Sequence, residues 1–144
     1  MTVKGIEVEE VAVSAVAGYR TLYSRLYELA LAIREFEGWF PGSRSFRNKN
    51  PGNLRDGAGN IGNDSDGFAR FETYHHGMYA LLRDLHKKCI GATTTSLGPG
   101  SDLRGLVEVY APTGDGNHVG NYVQFLVARL SKPETTRLLW FVEG

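Results

Sequence analysis

Glu37 is the residue of this chain best placed to exchange a proton. It closes a stripe in which Leu22, Leu26, Leu29, Ala30, Ile33 and Phe36 recur at the spacing of an amphipathic helix. Lying one turn after Ile33, it projects from the apolar side, while Arg25, Glu28, Arg34 and Glu35 lie toward the wet side. A carboxyl group on the apolar side is costly to ionise, so the protonated form persists toward neutral pH, and that is the form a general acid works from. Gly38 should end the helix and leave Glu37 at the rim of a cleft, with Trp39 and Phe40 keeping water off it. A Glu in the last turn of a helix is ordinarily just solvated, so the segment that follows has to add weight.

That segment is Arg47-Asn48-Lys49-Asn50-Pro51-Gly52-Asn53-Leu54. Pro51 fixes φ, Gly52 permits positive φ, and Asn side chains bond to their own backbone, which predicts a stiff turn. Such a turn presents amide groups and free N–H groups to polar ligands such as sugars. The candidate binding groups are Asn50 and Asn53 with the backbone of Gly52 and Leu54, although any single Asn here is more often an ordinary turn former. Two tyrosines follow: Tyr110 in Tyr110-Ala111-Pro112-Thr113-Gly114, and Tyr122 in Tyr122-Val123. Asp64 and Asp66 are candidates for a second carboxylate, against the commoner fate of loop aspartates as solvated turn residues.

Taken in order, Glu37-Gly38, the Asn-Pro-Gly-Asn-Leu turn, the Tyr-containing turn and the late Tyr-Val resemble the lysozyme-like domains with which bacteriophages degrade peptidoglycan. They are also similar to the soluble lytic transglycosylases, over roughly Leu22 to Leu130. Lys49 stands where the pattern has a third Asn, Gly38 where it has Ser, and the Met-Gln pair of the transglycosylase loop is absent. The resemblance implies a mainly α, lysozyme-like α+β fold, with helices around a buried acid-bearing helix and a small β-hairpin. It implies cleavage of the β-1,4 bond between N-acetylmuramic acid and N-acetylglucosamine, by hydrolysis or by lytic transglycosylation. Glu37 would be the acid, the Tyr110 hydroxyl would face it across the cleft, and Tyr122 would position it or the N-acetyl group. No metal or organic cofactor is implied, and the partner is the peptidoglycan glycan strand. The alternative is a non-catalytic glycan-binding or virion structural module that keeps the same fold.

The chain has 144 residues, 42% of them apolar, enough for one domain with a core. Its formal net charge is zero, which argues against a nucleic-acid partner. A local cluster of Arg44, Arg47, Lys49 and Arg55 is the one basic patch that could face an anionic wall. Cys89 is the single cysteine, so no intrachain disulfide forms. Val11 to Ala17 is apolar but follows Glu7, Glu9 and Glu10, where a secretory signal needs basic residues, and it is too short to cross a membrane. The expectation is synthesis in the cytoplasm without a signal peptide, and action at the bacterial wall after release through a pore or within a virion.

Residues 1–18 read as an extension, a strand or short helix able to dock on a phage virion or another assembly, and residues 19–144 as the catalytic domain. Tyr19 to Phe36 is the acid helix and Pro41 to Asn53 the loop. Leu54 to Phe71 predicts a hairpin with a strand at Phe68–Phe71. Helices follow at Tyr74–Ile90, capped by Thr73, at Asp102–Val109 and at Val119–Leu130. Ser131-x-x-Glu134 with Pro133 reads as a capping box opening a last helix. Gly57, Gly59 and Gly62 fit a dinucleotide pattern, but neither the buried strand before nor the helix after is there. Asp64-x-Asp66-Gly67 lacks the other ligands of a calcium loop, and the histidines lack zinc spacing.

Overall fold

The computed structural model describes residues 2–110 and 116–143, with side chains from Glu9 in the first stretch and from Val119 in the second. The described residues are mainly helical: α1 (Thr2–Leu22), α2 (Ser24–Phe36), α3 (Arg44–Arg47), α4 (Tyr74–Ile90), α5 (Leu103–Tyr110), α6 (Gly116–Leu130) and α7 (Leu138–Glu143). Helix α2 packs against α1, α4, α6 and α7. Its expected stripe is buried, with Leu26, Leu29, Ala30 and Ile33 no more than 1% exposed, and Ala32 joins them. Helix α4 begins at Thr73, whose hydroxyl accepts from the His76 N–H, and ends at left-handed Gly91. It buries Met78, Leu81, Leu82, Leu85 and Cys89 against the same core. Each such side chain contributes about 1.5–3 kcal/mol through the apolar surface it removes from water.

Several elements differ from expectation. The expected boundary at residue 18 falls inside a helix: α1 runs unbroken through Gly18 to Leu22 and packs on α4 and α2. Ala12 and Val16 are buried, and Tyr19 and Tyr23 continue their line with rings against His86. The 12, 16, 19, 23 spacing is helical, but Val11, Val13 and Ala17 surround it with apolar residues, so no polar face marks the stripe. Leu22 is 70% exposed, and the acid helix starts afresh at Ser24 after a break at Tyr23. The Ser131–Glu134 capping box is not formed. Instead Ser131 takes a left-handed conformation, Glu134 pairs with Arg104 at 2.8 Å, and α7 starts only at Leu138.

The expected hairpin is a loose ribbon with no strand among the described residues. One antiparallel bridge, Asn63 to Ala69, is flanked by N–H bonds from Ile61 to Arg70 O (2.8 Å), Arg70 to Gly62 O (2.9 Å) and Asp64 to Phe68 O (2.8 Å). Its return arm is claimed by the Asn loop: Ala69 N–H bonds Leu54 O and Phe71 N–H bonds Asn48 O, each at 2.8 Å. Among the described residues, no helix is long and apolar enough to cross a membrane.

Burial pushes the Cys89 thiol up to about 12. Native protein should therefore resist a thiol reagent such as DTNB at mildly alkaline pH and react fully in denaturant. Rapid labelling of the folded protein would place Cys89 outside the core.

Candidate active site

Helix α2 ends at Glu37 in a Schellman motif. The Gly38 N–H bonds Glu35 O (3.2 Å), the Trp39 N–H bonds Arg34 O (3.3 Å), and Gly38 is left-handed. This stops the helix one residue past Phe36, so Glu37 is half-buried rather than enclosed. Its carboxyl group is held from two other parts of the chain. Asn53 donates its amide to Oε1 at 3.1 Å and reaches the Glu37 backbone carbonyl at 3.4 Å. Tyr122, on α6, donates its hydroxyl to Oε2 at 2.9 Å. A carboxyl group addressed at both oxygens is held in one orientation, as directed proton transfer requires.

The loop that carries Asn53 is organised by Asn50, which is fully buried. Asn50 Nδ2 donates to Leu54 O (2.8 Å) and Ala69 O (2.9 Å), while its Oδ1 accepts from the Leu54 N–H (2.9 Å). Two of the candidate binding groups are thus engaged within the protein. The Asn50 amide and both backbone groups of Leu54 are bonded to one another and to Ala69 inside the fold. Gly52 also acts differently from expectation. It is not among the positive-φ residues; Lys49 (φ 51°) and Asn53 (φ 49°) are. Gly52 is needed for space, since a Cβ there would come within 2.4 Å of the Tyr110 hydroxyl and 2.7 Å of Leu81.

The tyrosines divide the work. The Tyr110 hydroxyl donates to Gly52 O at 2.5 Å, bracing the loop, and feels the charge of Glu37. Its ring meets that of Tyr122 edge-on at 6.4 Å, and the Tyr122 ring stacks on Phe36 at 3.8 Å. Burial first, then Tyr110 and Glu37, raises the Tyr122 hydroxyl well above its ordinary range; burial, Glu37 and Asp84 do the same for Tyr110. Both remain O–H donors throughout the physiological range. The Ala111–Gly114 part of the expected turn lies outside the described residues. Trp39 spends its ring on Phe46 (5.0 Å) and Tyr74 (5.2 Å), and Phe40 is 59% exposed, so the aromatic ring stacked beside the site is Phe36.

Asp64 and Asp66, the candidates for a second carboxylate, are fastened to the ribbon. Asp64 accepts from Asn48 Nδ2 (2.8 Å) and from the N–H groups of Asp66 and Phe68 (2.9 Å each). The Asn48 bond, with these backbone bonds and Arg44, holds its carboxyl below the usual range. Asp66 pairs with Arg44 at 2.6 Å. The expected basic patch is likewise engaged: Arg44 and Arg55 flank the Phe68 ring, Arg47 bonds Gly42 O and Lys49 bonds Glu72 O.

Three participants were not singled out from the sequence. Asn48 is buried and ties the loop to Asp64. Helix α3, capped by Ser43, sits within the segment read as loop. Gly77 lets α4 close on the loop, because a Cβ there would lie 1.9 Å from Lys49 O. An isolated Gly inside a strong helical pattern was the available signal for that approach. The Asn53 amide also carries a cost, since its Oδ1 is buried without a hydrogen-bond partner. Such an orphan costs about 1–3 kcal/mol and persists where the rest of the group is needed.

Comparison with protein-family models, curated proteins and solved structures returned no match. The geometry itself separates a structural Asn50 from a ligand-binding one. Asn50→Ala leaves the buried Leu54 N–H and Ala69 carbonyl without their Asn50 partner and should lower unfolding free energy by about 2–5 kcal/mol in urea titration. Unchanged stability would return Asn50 to the ligand-contacting surface.

Proposed function

We propose that this chain is a peptidoglycan glycosidase with a lysozyme-like fold. It cleaves the β-1,4 bond between N-acetylmuramic acid and N-acetylglucosamine, with Glu37 as general acid. The observation that carries this reading is the grip on the Glu37 carboxyl by Asn53 and by Tyr122, a residue 85 positions away. Three segments remote in sequence converge on one half-buried acid, and neither donor can take its proton under physiological conditions. Asn53 and the Gly52 turn, braced by Tyr110, form the wall against which the glycan lies.

Lytic transglycosylation is the favoured route. Asp64 and Asp66 are both committed to the ribbon, which supports a reaction run by a single carboxyl group. Glu37 protonates the glycosidic oxygen as the bond to the anomeric carbon breaks. The muramoyl 6-hydroxyl attacks that carbon and returns its proton to Glu37, leaving a 1,6-anhydro end. Delivery to the wall would be through a pore or within a virion. The rival reading, a glycan-binding or virion module, draws on the internal use of Asn50 and Leu54.

Purified peptidoglycan incubated with the protein should lose turbidity and yield 1,6-anhydro muropeptides by mass spectrometry. Glu37→Gln should slow release by about 100-fold or more with melting temperature unchanged. Undiminished release by Glu37→Gln would remove Glu37 from its role. Wall binding by the wild type without release would favour the rival reading.

A further inference from the structure

Arg83 and Lys87 lie one turn apart on α4, both exposed. Among the described residues neither is in an ion pair, unlike Lys88 next to them, which holds Asp84 at 2.6 Å. With Asp56, Asp84 and Thr93 they line a groove of about 460 Å³, within the size range of small-ligand sites. Its floor is closely packed at Gly57, where a Cβ would meet Phe71 at 3.0 Å and Ala80 at 3.1 Å. The Asp56 carboxylate is oriented by the Gly57 N–H (2.8 Å) and Asn60 (2.9 Å). The groove thus offers two unpaired cations together with fixed carboxylates. A polyanion would meet the carboxylates, whereas a ligand carrying both charge signs would satisfy each wall.

The groove is joined to the candidate active site by contact. Lys88 Nζ lies 5.0 Å over the Tyr110 ring, the Tyr110 hydroxyl holds Gly52, and Asn53 next in the chain holds Glu37. We infer that the groove seats the peptide stem of the strand whose glycan lies over Glu37, with stem carboxylates on Arg83 and Lys87 and a stem amine toward Asp56 and Asp84. This rests on the peptidoglycan reading for the identity of the ligand. The stem is a short peptide bearing carboxylates and a free amine, so its charges complement the groove.

Two measurements decide it. In the first, a synthetic tetrapeptide with two carboxylates and one amine is titrated into labelled full-length protein and followed by NMR. Saturable shifts are expected at the amides of Arg83, Lys87 and Thr93, weakened about tenfold or more in the Arg83→Ala/Lys87→Ala double variant. No shifts at these amides, or equal shifts with inorganic phosphate, would overturn the inference. In the second, cleavage of stem-bearing peptidoglycan is compared with cleavage of glycan stripped of its stems by an amidase. The double variant should lose kcat/KM on the first substrate and match the wild type on the second; equal loss on both would also overturn the inference. Wild type that cleaves neither substrate would sink the glycosidase reading alone, leaving the peptide titration to decide the groove.

Discussion

One carboxyl group at the close of α2 has to meet an amide from a loop and a hydroxyl from α6, and most of the local structure serves that meeting. Asn53 reaches Glu37 only because it adopts a left-handed backbone. That conformation costs most side chains roughly 1–2 kcal/mol, and Asn is among the few that visit it readily. A typical hydrogen bond returns about 0.5–1.5 kcal/mol, which offsets much of that cost. Asn50 fixes the loop from within, Tyr110 from outside, and Gly77 allows α4 to lie against it.

The charges of the chain are used mostly for holding shape. Arg44 and Arg55 grip the Phe68 ring from neighbouring positions, and Arg44 also holds Asp66. Arg129 on α6 clasps Glu35 at 2.9 Å, fastening α6 to α2 one residue from the stacked Phe36–Tyr122 pair. A zero net charge is therefore compatible with a locally polarised surface. Arg83 and Lys87, which are in no ion pair among the described residues, are where that surface can select a ligand.

How much of this was legible follows from how each element is stabilised. Helices α2 and α4 carry their own signals: apolar residues at helical spacing, Thr73 before α4, and Gly38 and Gly91 after the last turns. Glu37 was legible because its position on the α2 stripe is a local fact. Helix α1 was not, because β-branched valines weaken its propensity and its buried line is hidden among other apolar residues. The ribbon alternates like a strand at Phe68–Phe71, yet its backbone partners belong to Asn48 and Leu54, a tertiary choice that no local pattern carries. Asn50 misled for the same reason. A polar side chain in a turn reads as outward-facing, whereas here three buried backbone groups draw it inward.

The grip on Glu37 is most directly tested by the side-chain amide signal of Asn53 in NMR spectra of the wild type and of Glu37→Gln. A hydrogen-bonded amide should appear displaced from the solvent-exposed range in the wild type and move markedly on substitution, with the Asn50 amide unmoved. An Asn53 amide at the solvent-exposed position in both proteins would contradict the convergence on which the site depends.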